Sequence, residues 1–395
     1  MRIYIDKIFS TKWLILLLIP LFEPTIFVKH SLLNIIYACY LCVVLVFMLM
    51  YYLIKKIRIP FLFFLMLIYR FYLLIPTIFS NGDYLKWGYL SLVLFSLILI
   101  MNISLKVNYK NFIESIVYLF SFLLTVNLLL FIIYPDGLYL DTQLHFLGIR
   151  TRFTDISFPC IIFSVFLLRE SKYIMSKLIN IYAILISMLN ILLPKISTAI
   201  IGIALFSLLL FLFNFKEIKY FLTSKKLFLF SIIITFLVVF LRIGDLFSDI
   251  IFVLFGKTAS FSGRTEIWDN AYPIILEKWY IGYGIVNDGN FVPWIDNDVR
   301  LWQAHNQLLQ LLYDGGIFSS VLMLYIIYIS SKKIGFCKLK YGSHIFVFGL
   351  FCLLIMMITE IYSYYPGPYL IIFMCYFFNY ISIKKKVIIE RSKNI

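Results

Sequence analysis

About twelve apolar runs succeed one another along the chain, each near the twenty residues an α-helix needs to cross roughly 30 Å of hydrocarbon, and no other feature constrains the fold as strongly. They centre near residues 20, 42, 69, 93, 122, 162, 186, 205, 234, 322, 353 and 376. The sixth (153–168) and seventh (178–194) are short, so eleven crossings are also admitted. Apolar residues make up 63% of the chain and charged residues 14%, with a mean hydropathy of +0.96. A soluble domain carries about a quarter charged residues, so these numbers exclude a soluble enzyme on one anchor helix as well as disordered, collagen-like and coiled-coil chains. The reading is an all-α polytopic membrane protein, a single integral membrane domain over residues 1–395.

A net charge of +15 would suggest nucleic acid as partner in a soluble protein. Here its distribution gives topology instead, with no nucleic-acid role. With a cytoplasmic N-terminus, the inner segments are the two tails and residues 55–58, 102–110, 169–177, 216–226 and 332–340, and they hold 24 of the 35 Lys and Arg. The positive-inside rule then places both termini in the cytoplasm. The run at 13–28 is interrupted by Pro20, Glu23 and Pro24 and lacks a small-residue cleavage site, so it reads as a retained first span. The six cysteines show no metal-ligand spacing and no disulfide framework.

Two outer loops break the regular weave. Residues 135–157 form one; residues 243–315 form a larger one with nine of the twenty acidic residues against four Lys or Arg. Its content of Trp268, Trp279, Trp294 and Trp302 argues for order, with short helices inside it, and loops of this length are commonly functional. There is no internal repeat of the kind many transporters show.

The large loop opens with FSGRTEIWDNAYPIILEKWYIGYGIV, residues 261–286. Ser262 or Gly263 caps a helix whose face would carry Ile267, Trp268, Ala271, Tyr272, Ile275 and Trp279. Arg264 falls in its first turn, where unpaired N–H groups favour an anion, and Gly282-Tyr283-Gly284 turns the chain at its end. The loop closes with LWQAHNQLLQLLYDGGI, residues 301–317, which puts His305 at the N-terminal end of the next span. The helix dipole there disfavours imidazolium, so His305 is expected neutral and able to act as a general base.

SGRTEIW, the GYG turn and AHNQLLQLLYDGGI resemble the C-terminal signature of the O-antigen polymerase and O-antigen ligase superfamily. The resemblance covers residues 255–320 in detail and the rest of the chain only in span number and loop placement. It implies a bacterial plasma-membrane enzyme whose active site faces the periplasm or exterior. The implied donor is an undecaprenyl-diphosphate-linked glycan, the chemistry metal-independent, with no cofactor and, as a further partner, a chain-length regulator.

Other basic residues suit the same donor. In GIRTRFTD, Arg150 and Arg152 lie two apart, so in an extended segment both would point to one side and grip a diphosphate through planar forks. The resemblance calls for one Arg at this place, Arg150 or Arg152. Lys195, in LLPKISTAII on a short outer turn, is a partial match to a family basic residue and either contacts phosphate or snorkels to the interface. Arg70 lies mid-span, where a charge costs about 2.5–3.5 kcal/mol, and should face the bundle paired with Glu23 or Glu360, or bind lipid phosphate. Asp296-Asn297-Asp298 has the D-x-D spacing of metal-binding sugar transferases but reads as a solvated acidic turn. His145 and His344 have no sequence companions, and His30 reads as an interface residue.

Together these parts suggest glycosyl transfer in which the arginines offset charge on a departing lipid diphosphate and His305 deprotonates the acceptor hydroxyl, with inversion. A polymerase is favoured over a ligase by the Ile-, Phe- and Tyr-rich framework, which resembles divergent polymerases. A flippase or transporter of the same lipid-linked glycan is the alternative of a different class, disfavoured by the scarcity of ionisable residues at mid-span.

Overall fold

The computed structural model describes residues 9–138, 143–242, 264–285 and 303–393, with side chains to 386. The expected helix cap at Ser262 or Gly263, the D-x-D turn, Trp294 and Trp302 lie outside the described residues. Among the described residues the regular elements are all helices, with one isolated bridge, His145 to Gly148.

In chain order, α1 is Thr11–Leu18, continued by a 3-10 turn, Ile19–Leu21; α2 is Ser31–Ile54, α3 Phe61–Phe79, α4 Tyr84–Ile133, α5 Thr154–Glu170 and α6 Ile174–Leu192. After these come α7 (Ser197–Leu212), α8 (Ser224–Val239), α9 (Arg264–Glu277), α10 (Gln307–Gly335), α11 (Ser343–Met356), α12 (Pro366–Phe377) and α13 (Asn379–Lys393). Fifty unbroken helical residues would span about 75 Å, far more than one bilayer crossing. Asn108, at φ −151° and ψ 96°, divides α4, and its Oδ1 accepts from the N–H groups of Lys110 and Asn111 to start the second half. α4 is the hub, packing on α1, α2, α3, α5, α6 and α12; most of the apolar core gathers around it.

Among the described residues, six helices are long and apolar enough to cross a membrane, and α12 with the start of α13, bent by 47°, makes a seventh. The eleven or twelve crossings expected from hydropathy are not reached by this measure, for identifiable reasons. α4 counts once although Asn108 splits it, and the apolar helices Thr11–Leu21, Ser197–Leu212 and Ser343–Met356 are short. Residues 357–365 interrupt the apolar run between α11 and α12 as irregular but mostly buried chain. Buried backbone of this kind persists only where protein groups satisfy its hydrogen bonds.

Buried amides fix how the loop at 143–149 sits on this bundle. Asn127, fully buried on α4, donates from Nδ2 to Asn190 Oδ1 on α6 at 2.8 Å, and its Oδ1 accepts from Leu147 N at 3.0 Å. Asn190 in turn donates to the carbonyls of Leu124 and Ile186. Substitution Asn127→Leu leaves a buried amide N–H and a buried side-chain oxygen without partners, each costing about 1–3 kcal/mol. We expect a lowered thermal midpoint of the detergent-solubilised protein; an unchanged midpoint would show that this amide does not hold the loop.

Candidate active site

The irregular segment 357–365 is held by the sequence AHNQLLQ. Asn306 caps α10, its Oδ1 accepting from Leu309 N at 2.9 Å, and its Nδ2 donates to Ile358 O at 2.8 Å. Gln307 N donates to Met357 O, while Gln307 Oε1 accepts from the N–H groups of Tyr362 and Ser363 at 2.7 and 2.9 Å. One turn on, Gln310 Nε2 and Tyr364 Oη both donate to the buried carboxylate of Asp314. Two polar side chains of one helix start, Asn306 and Gln307, therefore satisfy backbone groups of residues 357–365, and Gln310 holds the side chain of Tyr364.

That segment presents its groups to two arginines. Arg152, 6% exposed, donates to Ile361 O at 2.9 Å and to Gln303 Oε1 at 3.0 Å, with its guanidinium carbon 4.0 Å from the centre of the Tyr365 ring. Arg264 forms an ion pair with buried Glu360 at 2.5 Å. Gln303 Nε2 donates to His305 Nε2 at 3.3 Å, joining the imidazole to Arg152 through one amide. A guanidinium can face only the oxygen of that amide, so its nitrogen must turn to His305. The imidazole therefore accepts at Nε2 and carries its proton at Nδ1, which has no hydrogen-bond partner among the described residues. Arg152, Gln303 and Glu360 are buried, whereas Arg264 and His305 are only partly covered, so these two form the accessible edge.

Burial, followed by the nearby guanidiniums of Arg264 and then Arg152, pushes the His305 pKa down to about 4. The imidazole is neutral near pH 7, as its place beside a helix start led us to expect, but burial is the main cause. His305 also takes a left-handed backbone, φ +47°, uncommon for a residue with a side chain. Its neighbour Ala304 donates its N–H to Gln310 Oε1 at 2.9 Å, which helps the turn persist.

The glycine motifs prove to be parts of one joint. α10 breaks at Gly315 and Gly316, the latter at φ +61°, and the GYG turn docks on the break: Tyr283 N donates to Tyr313 O at 2.7 Å and Gly284 N to Asp314 O at 2.8 Å. A Cβ on Gly282 would stand 2.6 Å from Gly315 N, so the two backbones meet only because neither carries side-chain bulk there. α9, which carries Arg264, packs Ile267, Trp268, Ala271 and Ile275 against Val239, Ala304, Leu309, Tyr313 and Ile358. The expected apolar face is thus confirmed in these four residues; Tyr272 and Trp279 are exposed instead.

Several sequence expectations are corrected. Arg150 and Arg152 do not share one side. They lie in a 3-10 turn, Arg150–Phe153, where residues two apart point about 120° apart. Arg150 turns back to Pro135 O at 2.9 Å with Asp136 at 4.0 Å, and only Arg152 reaches the cluster. Arg70 does face the bundle, 1% exposed, but its guanidinium donates to Ser91 Oγ and Trp87 O, with neither Glu23 nor Glu360 as partner. Lys195 is exposed at the left-handed turn before α7; three residues on, Thr198 Oγ1 lies 3.4 Å from Thr359 Oγ1, next to Glu360. His344 does have companions, a 2.7 Å contact from its Nε2 to Arg169 and a stacked Phe213 ring.

Residues 182–324 match the family model described as O-antigen ligase. That match supports a likeness to the O-antigen ligase and polymerase superfamily. The match covers under half of the chain. It includes Lys195, Arg264 and His305 and leaves Arg152, Glu360 and Tyr365 outside, although all but Lys195 of these belong to one cluster. No curated protein and no solved structure gives a significant match. Members of that family are membrane enzymes acting on glycans.

Sequence reasoning passed over Gln303, Tyr365 and the role of Glu360. The available signal was Glu360 itself, an acid inside an apolar run, which by itself marks a functional or paired position. Gly367 shows how tightly these parts are set: a Cβ there would stand 1.8 Å from Asp155 O, at the start of α5. Gly367→Ala should push the start of α12, with Tyr365, off Arg152. We expect a large loss of activity with a destabilisation of about 1–3 kcal/mol, measured as glycan product against thermal midpoint; full activity would show that Tyr365 need not sit on Arg152.

Proposed function

We propose that this protein is a polysaccharide polymerase, a membrane glycosyltransferase that joins lipid-diphosphate-linked oligosaccharide units at the outer face of a bacterial plasma membrane. The observation that supports this most is the convergence of Arg152, Arg264 and a neutral His305 on one cluster, bridged by Gln303 and Glu360. Undecaprenyl diphosphate is the carrier we assign, serving as donor and, through a second unit, as acceptor; a chain-length regulator is a further partner we assign. The Lys and Arg of the inner segments would keep both termini in the cytoplasm, with the loops about 135–157 and 243–315 outside and eleven or twelve crossings, once the two halves of α4 and the short apolar helices are each counted as spans.

In this reading the two guanidiniums rest against the site's own side chains, of which only Glu360 is a carboxylate. A lipid diphosphate takes the place of Gln303 on Arg152 and of Glu360 on Arg264, and planar forks suit its oxygens. Lys195 adds a flexible charge at the edge. Release of Gln303 frees Nε2 of His305, and a bound anion offsets the guanidiniums that depress its basicity. The acceptor hydroxyl then gives its proton to Nε2 as its oxygen bonds to the anomeric carbon. The bond from that carbon to the diphosphate oxygen breaks on the opposite face, with inversion. The leaving group departs ionised and needs no acid, its charge offset by the two guanidiniums. Arg150 and Arg70 have no part in this step.

The family description itself favours a second reading, a ligase that delivers a finished chain to lipid A-core. The product of a deletion strain separates the two: a single repeat unit on the final acceptor indicates a missing polymerase, and long chains stranded on the carrier lipid indicate a missing ligase. His305→Ala should lower the transfer rate by roughly 10²–10⁴-fold with membrane insertion intact; full-length polysaccharide from that variant would remove the base assignment.

The pH dependence follows from the same imidazole. Its pKa in the folded free enzyme, about 4, lies below the ordinary 6.5. Both folded and unfolded forms are neutral above pH 6.5, so His305 contributes no pH dependence to stability there. Between pH 6.5 and about 4 the unfolded chain takes up a proton that the folded site refuses, and stability falls as pH falls. The acid limb of kcat/KM, which reports the free enzyme, should therefore lie well below 6.5 in nanodiscs. A limb at 6.5 that disappears in His305→Gln would contradict the buried-imidazole account.

A further inference from the structure

The far end of α10 carries a second polar cavity that the transfer site does not use. α10 runs from Gln307, two residues after His305, to Gly335, and its part beyond the glycine break alone is roughly 28 Å long, about one bilayer crossing, so we assign its two ends to opposite faces. At the Gly335 end lies a cavity of about 680 Å³ between the starts of α8 and the end of α10, within the size range of small-molecule sites. Lys219, Lys225, Lys332 and Lys338 line it, with the hydroxyl residues Thr223, Ser224 and Ser331 between them. No carboxylate is among its described lining residues, and Glu217 sits on the neighbouring turn Lys216–Lys219.

Its construction is specific in three respects. Ser224 Oγ donates to Ser331 O at 2.8 Å, tying α8 to α10 across the cavity floor. Aromatic rings form the walls: Phe228 and Tyr328 lie 5.9 Å apart, and Lys219 stands over Phe213 at 4.7 Å. The rim at Lys338 and Leu339 is in left-handed backbone, φ +47° and +58°, a conformation side chains rarely take. Strain of this kind persists where surrounding structure over-determines it and gathers at ligand clamps.

We propose that this cavity binds the headgroup of an anionic phospholipid from the leaflet opposite the transfer site. A phosphate would sit among the lysine ammoniums and the hydroxyls, and the acyl chains would run along Phe228 and Tyr328 between α8 and α10. Basic pockets between spanning helices recognise lipid headgroups by this combination of charge and adjoining apolar wall. The separation from His305 makes the proposal independent of the transfer chemistry.

The test uses the full chain, purified in detergent, exchanged into equal mixtures of phosphatidylglycerol and phosphatidylcholine, and examined by native mass spectrometry for retained lipid. K225Q/K332Q/K338Q removes three charges of the cavity, and K55Q/K56Q/R58Q removes three from another basic turn. We expect the parent to retain phosphatidylglycerol selectively, the cavity variant to retain it about tenfold less or worse, and the control variant to behave as the parent. Equal losses in both variants, or equal retention of phosphatidylcholine, would overturn the site. Displacement of the lipid by inorganic pyrophosphate would overturn it as well, by pointing to a soluble anion.

Discussion

Irregular backbone that is mostly buried must find its hydrogen bonds within the protein, and the candidate site is arranged around that demand at residues 357–365. Asn306, Gln307 and Gln310 project from one helix start to meet it, directly or through Asp314 and Tyr364. Because α10 must supply those amides, its first turn is locked to the irregular segment, and His305, just before the cap, is locked with it. The same irregular segment offers Glu360 to Arg264 and Ile361 O to Arg152. Two cations and one imidazole are thus positioned by a stretch of chain that contributes no helix of its own.

The electrostatics follow from this packing. A buried cation is costly unless paired and hydrogen-bonded, and each guanidinium finds a partner: a carboxylate for Arg264, an amide oxygen, a carbonyl and an aromatic face for Arg152. In the proposed function a diphosphate competes with these partners for the same planar forks. Arg70 illustrates the contrasting case. Its donors end on Ser91 and on the Trp87 carbonyl, while Trp87 Nε1 donates to Arg70 O at 2.6 Å. That closed exchange joins α3 to α4 and presents no open fork.

The glycine motifs serve the same geometry from the other side. The GYG turn lies against the break in α10, and Ile285, just after it, bonds to Thr77 Oγ1 on α3 and to the Asp83 N–H before α4. The end of the α9 segment is thereby pinned to the bundle, while Arg264 at its other end is pinned by Glu360. A loop that hydropathy shows only as a gap between spans is held at both ends of its described helix.

Much was legible from residue order. Apolar runs of span length require helices in a membrane, and the described chain is helical. A neutral His305 and the glycine turn follow from rules that act within a few residues, and both are found. What lay beyond reach depended on contacts between residues distant in the chain: Arg152 meets Gln303 across 151 positions and Ile361 across 209, and Arg264 meets Glu360 across 96. Local pattern could not decide between Arg150 and Arg152, because the choice rests on a 3-10 turn that aims one at its own loop and the other at the bundle. Nor could it show that Glu360 belongs to Arg264 and not to Arg70. Residue order determined which groups needed partners; only the folded chain, by bringing remote backbone within hydrogen-bonding reach, decided which partners they found.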